Sequence, residues 1–205
     1  MTTLADRLLP DQLWQRIQPL LPPPPSHARG GAPRTVPDRA CMAAIIFMAR
    51  TSTPWALLPV GEFGCGSVTT CWRRFAEWAR AGVFERLQER LLDDIPPVRT
   101  PTGRRRRRPE KVHADKAYDH RRCRGYLSRR GIKVRIARCG IESSQRLGRH
   151  RWKAERSIAW LAGCRRLRIR HDRSSERFFA FAMLACARLG YNRLPGTAEA
   201  HARSP

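Results

Sequence analysis

Apolar residues recur at helical spacing near the start of the chain. Leu13, Trp14, Ile17, Leu20 and Leu21 predict a helix over residues 4–21, beginning near Pro10-Asp11. Four consecutive prolines, Pro22 to Pro25, end it, and a polar, glycine-containing stretch follows. Pro37-Asp38 then introduces an almost wholly apolar helix over 39–50. Residues 51–66 read as a loop, broken by Pro54, Pro59, Gly61, Gly64 and Gly66. Ser67 has the side chain of an N-cap for a helix over 68–81, which sets Trp72, Phe75 and Trp78 beside Arg73, Arg74 and Arg80. Gly82 closes that helix, and a short one over 83–92 follows.

The pattern then changes. Residues 93–109 carry Pro96-Pro97, Pro101 and Gly103, then five arginines in a row, Arg104 to Arg108, and read as a linker or arm. Lys111 to Asp115 predicts a short strand, 118–130 a helix stopped by Gly131, and the alternating 133–138 a second strand. A loop over 139–150, a helix over 151–163 and an extended piece over 167–170 come next. Ser174-Ser175-Glu176 opens a last apolar helix to about residue 190, and 195–205 read as a disordered tail. Helices first and strands interleaved with helices afterwards predict an α+β or α/β chain, helical over 1–92, joined by a linker over 93–110 to a mixed domain over 111–194.

The apolar runs 40–49 and 178–187 are ten residues each, half of the ~20 needed to cross a bilayer. With no apolar leader at residues 1–8, a cytoplasmic protein with no membrane partner is expected. Seven scattered cysteines without a C-x-x-C pair argue against a disulfide framework or a zinc ribbon.

Charge sharpens the picture. Of 205 residues 41 are basic, 37 of them arginine, against 17 acidic, a net +24. Residues 99–173 hold 26 of the bases and 6 of the acids, so +20 of the excess sits in 75 residues. Like charges at this density repel unless phosphates or counterions neutralise them, and guanidinium matches phosphate bidentately. A nucleic-acid partner is the favoured reading, and a solvated basic face the bland one. The helices over 39–50 and 68–81, the second basic and aromatic, suit helix-turn-helix docking in a DNA groove; a plain helical bundle would carry the same pattern. Asp115, at the end of a strand, and Glu155, on a later helix, are hard-oxygen candidates for Mg²⁺ or Mn²⁺, although a carboxylate in so basic a segment also serves as a salt-bridge partner.

The chain resembles the DDE transposases of bacterial insertion sequences, of the group containing insertion sequences four and five. The similarity runs through Asp11-Gln12-Leu13-Trp14, Leu20-Leu21-Pro22, Arg50-Thr51, Pro54-Trp55, Leu58-Pro59, Trp72-Arg73-Arg74-Phe75 and Trp78. In the second half it runs through Ala114-Asp115-Lys116-Ala117-Tyr118-Asp119, the segment from Arg151 to Leu161, and Arg165-Arg166-Leu167. The resemblance implies an RNase H-like second domain, metal-dependent DNA cleavage and strand transfer, double-stranded terminal repeats as partner and a homodimer. It makes Asp115 and Glu155 the second and third metal-binding acids, Arg151 a phosphate contact, and Arg156 with Arg104, Arg105, Arg106, Arg107 and Arg108 sources of backbone affinity. Arg73 and Arg74 would serve DNA recognition by the helical domain.

Three departures qualify that expectation. Gly148 and Ala162 stand where the family often has a tyrosine and a lysine. More seriously, residues 91–97 pass directly from the helices to the linker, with no V-D-G-S-like strand for the first acid. Asp93 and Asp94, beside two prolines, are poor substitutes. The expectation is an internally deleted, truncated RNase H-like domain and a catalytically deficient transposase. A non-catalytic DNA-binding protein that inhibits transposition is the alternative, and a basic RNA-binding protein a third reading with no recognisable RNA module.

Overall fold

The computed structural model describes residues 3–24, 34–100, 102–114, 116–136, 138, 155–156 and 158–197. They are helix-rich, with small sheets, in a mixed α+β arrangement. The chain divides into two compact units: Met1–Ile95 with Leu161–Pro205, and Pro96–Trp160.

The first unit is helical. Thr3 caps α1 (Leu4–Leu8) by accepting from the Asp6 amide, while the Asp6 carboxylate accepts from the Thr3 amide, a reciprocal capping box. The expected single helix over 4–21 is split: Pro10 cannot donate and disfavours helical backbone at Leu9, so α2 (Asp11–Ile17) starts afresh and runs into a 3-10 turn, Gln18–Leu20. Helix α3 (Asp38–Thr51) buries eight side chains from Cys41 to Ala49. Within the expected loop 51–66, a 3-10 turn at Trp55–Leu57 and the short α4 (Val60–Phe63) carry the chain to Ser67. Ser67 accepts from the Thr70 amide and opens α5 (Val68–Arg80); Gly82, at φ 66°, turns the chain into α6 (Val83–Asp94).

The last helix of this unit comes from the far end of the chain, and sequence reasoning had assigned it to the second domain. Instead, Ala180, Phe181, Leu184, Ala187 and Tyr191 of the C-terminal helix (Ser175–Tyr191) join the core built by Leu13, Ile17, Phe75, Trp78, Phe84, Leu87 and Leu91. This helix packs most extensively on α6. Phe75 stands at the centre, with ring centroids 4.3 Å from Phe181, 5.6 Å from Phe84 and 5.9 Å from Trp55. An apolar helix buries its stripe wherever a matching one is available, and α5 and α6 supply it. The piece expected to be extended over 167–170 starts instead as a 3-10 turn, Arg165–Leu167.

Gly66 adopts φ +76°, and a Cβ there would approach Val36 Cγ2 to 2.7 Å. Gly66→Ala therefore meets both backbone strain and a collision. It is expected to lower stability by about 1–3 kcal/mol, read as an earlier urea midpoint with unchanged slope.

In the second unit the arm expected over 93–110 is partly folded. Strand β1 (Val98–Arg99) pairs antiparallel with β2 (Arg105–Arg106), the turn using Gly103 at φ 78°. Strand β3 (Lys111–Ala114) is followed by a 3-10 turn, Lys116–Tyr118, by α7 (Arg121–Arg129) and by β4 (Lys133–Ile136). β3 and β4 are parallel, with Val112 opposite Val134 and Ala114 opposite Ile136. This is a strand–helix–strand crossover, as the hydrophobic periods predicted. Arg124 fastens it, donating to Asp119 at 2.6 Å and to the Ile136 carbonyl at 2.8 Å. Parallel sheets are normally covered on both faces, yet β3 is only half-buried on alternate positions and Ile136 is the one fully buried described residue of β4. Numbering the helices in chain order, the C-terminal helix is α8.

Candidate nucleic-acid interface

Helix α5 divides its basic residues between two faces. Phe75 and Trp78 are buried, and Arg73 and Arg80 are exposed. Arg74, expected beside Arg73 as a recognition side chain, turns inward and is only 6% exposed. It pairs with Asp38 at the start of α3 and donates to the Val36 carbonyl at 3.4 Å. Arg34 reinforces the same junction with two 2.8 Å bonds to Glu77. Burial, with the Arg34 charge nearby, pulls the Arg74 pKa down. Arg74 thus ties α5 to α3. Trp72 keeps 38% of its surface exposed, with the Arg177 guanidinium 5.3 Å from its ring centre, so the outer face of α5 presents Trp72, Arg73, Arg80 and Arg177 together or nearby.

The second unit gathers its charge around a recess of about 530 Å³, lined by Arg104 to Arg108, Arg130, Lys133 and a single acid, Glu110. The β1–β2 hairpin brings the arginine run there, the turn after α7 supplies Arg130 and the start of β4 supplies Lys133, two contributors that sequence reasoning missed. Their signal was their position beside Gly131, where the helix must reverse toward β4. Glu110 accepts from Lys133 at 3.4 Å and from Arg106 at 3.1 Å, and these two bases, Lys133 first, hold its carboxyl below the usual range. Glu110 is the one carboxylate in the lining, and a planar, multiply charged wall of this kind suits phosphate oxygens.

The acids single out a different outcome. Asp115, Arg151 and the loop over 139–150 lie outside the described residues. Glu155 and Arg156 are exposed helical residues, and residues 158–162 continue helical. Asp93 and Asp94 end α6 rather than a strand, and Asp94 pairs with Arg16 at 2.9 Å. Asp119 is held by Arg124 and Glu110 by Lys133 and Arg106. Among the described residues no three carboxylates, histidines or cysteines converge as a cation cage. No described helix is long and apolar enough to cross a membrane.

Residues 9–88 match the family model described as "Putative transposase of IS4/5 family (DUF4096)". An "Insertion element IS402 uncharacterized 16.2 kDa protein" of Burkholderia cepacia is 44% identical over 90 residues, 43% of this chain and 60% of that protein. A "Putative transposase for insertion sequence element IS402" of the same organism is 43% identical over 104 residues, 51% of this chain and 49% of that protein. The chain thus spans about half the length of these relatives. No solved structure matches it. The family-model match falls on the N-terminal helices of the first unit, from the end of α1 into α6. Over residues 9–88 the chain is similar to the IS4/5 group of putative transposases.

Proposed function

We propose that the chain is a DNA-binding derivative of an insertion-sequence transposase that does not complete the cutting reaction. One observation carries this reading: a transposase-like helical segment is joined to a unit with a recess walled by arginines and one acid held by two bases. In this reading α3 and α5 act as a helix-turn-helix-like pair, with Trp72, Arg73 and Arg80 toward the duplex. Arg104 to Arg108, Arg130 and Lys133 follow the sugar-phosphate backbone without reading sequence. The β3–α7–β4 crossover is a remnant of an RNase H-like domain, with Asp115 directly after β3, Glu155 on the later helix, and Arg151 and Arg156 flanking it as phosphate ligands. Two acids offset a pair of divalent cations poorly, and no step is assigned to a metal. Double-stranded terminal repeats are the proposed partner, bound by a homodimer.

The test is binding and cleavage of a duplex bearing the terminal repeats of a related element. Affinity is expected to fall steeply with salt, and replacing Arg104 to Arg108 by glutamine to make the log–log slope shallower by about 4. Incubation with Mn²⁺ is expected to leave the strands intact. Nicks that disappear in Asp115→Ala would refute the deficiency. A second reading, an inhibitor of transposition, is favoured by the closed core of the helical unit. It predicts that the protein displaces a full-length relative from the same ends.

A further inference from the structure

A second recess, of about 450 Å³, lies in the helical unit between α1, the end of α3 and the turn at residues 163–165. Leu4, Leu8 and Phe47 make part of its lining apolar, Arg7, Arg50 and Arg165 make the rest basic, and no carboxylate lines it. Among the described residues none of these three guanidinia has a carboxylate within ion-pair reach. The nearby acids of the N-terminal segment are engaged elsewhere: Asp6 with Thr3 and Arg39, Asp11 with Arg39. Behind the lining, Arg188 of α8 donates to the Leu8 carbonyl at 3.0 Å. Burial and then the Arg50 charge push its pKa down to about 10.

Helix dipoles explain part of this. Arg7 and Arg50 lie in the last turns of α1 and α3, where a cation is favoured. They do not explain why Arg165 joins them from more than a hundred residues away, or why the half-buried Arg188 lies close to Arg50. Three guanidinia from separate segments of the chain line one recess, with Arg188 behind them, and an anion seated there would relieve their mutual repulsion.

We propose that this recess is a phosphate seat, in which Arg7, Arg50 and Arg165 grip a phosphate group and Arg188 adds to the field from behind. The phosphate belongs either to a nucleic-acid backbone, which rests on the function proposed above, or to a small phosphorylated ligand. On duplex DNA it would be a contact separate from α5 and from the arginine hairpin, fixing orientation and not sequence.

The test compares the full chain with the double variant Arg50→Gln, Arg165→Gln, both side chains being exposed and free of described ion pairs. Circular dichroism first confirms that the variant is folded. Two probes are used: inorganic pyrophosphate, with NaCl matched for ionic strength, and a labelled 20-base-pair duplex. Pyrophosphate is expected to raise the melting temperature of the wild type by several degrees and not that of the variant. The duplex is expected to bind the variant about tenfold more weakly, with a salt slope shallower by about 2. A lost pyrophosphate response with unchanged duplex binding keeps the seat and assigns it to a small ligand. A duplex effect without a pyrophosphate response keeps it as a backbone contact. If the variant matches the wild type with both probes the seat is refuted, while duplex binding that still depends on Arg104 to Arg108 leaves the proposed function standing. If the wild type binds neither probe, both fall.

Discussion

A chain ended after Trp160 is expected to lose the fold of its helical unit, although the segment similar to known transposases, residues 9–88, is untouched. Removal of α8 takes Phe181, Leu184 and Tyr191 out of the core, with Leu194 just beyond it, and opens the faces of Phe75, Phe84, Leu87 and Leu91 to water. Each large apolar side chain withdrawn from burial costs about 1.5–3 kcal/mol, so these four alone represent on the order of 6–12 kcal/mol. That approaches the whole stability of a typical domain, about 5–15 kcal/mol. The measurement is far-ultraviolet circular dichroism with amide exchange. The truncated chain should show reduced helicity and unprotected amides in α5 and α6, and slow exchange retained in those helices would show that α8 is dispensable.

Arg166→Ala is expected to be the most damaging single substitution. The side chain is 2% exposed and pairs at 3.2 Å with Asp172, itself 7% exposed. It also donates to the Thr53 carbonyl at 2.8 Å, and its guanidinium lies 5.0 Å from the Phe181 ring centre and 5.6 Å from that of Trp55. Truncation leaves a buried carboxylate uncompensated, empties a large site beside the aromatic cluster and strands a carbonyl. Breaking a buried pair from one side costs about 3–5 kcal/mol. At a few degrees per kcal/mol for a unit of this size, the melting temperature should fall by about 10 °C or more. Arg166→Met with Asp172→Leu removes both charges while keeping volume and should recover most of the loss. A double variant as unstable as Arg166→Ala would show that the stabilisation comes from the cation over the rings and not from relief of the buried charge.

The local signals in the sequence were strong where the backbone decides. Ser67 and Ser174 cap the helices their hydroxyls suggested, and Gly82 and Gly131 end the elements that preceded them. The alternation in 111–114 and 133–136 was enough to place two strands around a helix. Tertiary placement was less legible. Periodicity says that residues 178–187 bury a stripe but not against which partner, so α8 was assigned by sequence order to the wrong unit. Arg74 reads as a DNA-facing base and nothing local marks Arg166 as buried, because arginine is usually exposed. Their carboxylate partners are 36 positions before and 6 positions after them in the chain, and nothing in a linear pattern marks such a pair. The five-arginine run reads as a linker or arm because charge density masks strand pairing as short as two residues a side. Of the site, the basic hairpin was visible as composition, while the recess shared by Arg7, Arg50 and Arg165 exists only because separate helices converge.

Two stretches of chain separated by a whole second unit build one helical body, and this sets the order of events during synthesis. The first six helices leave the ribosome with the cleft for α8 unfilled. Roughly 100 further residues must be translated before that helix emerges, a delay of about 5–20 s at ordinary elongation rates. Throughout that interval Phe75, Phe84 and Leu91 offer a greasy opening to solvent, a natural landing place for a nascent-chain chaperone.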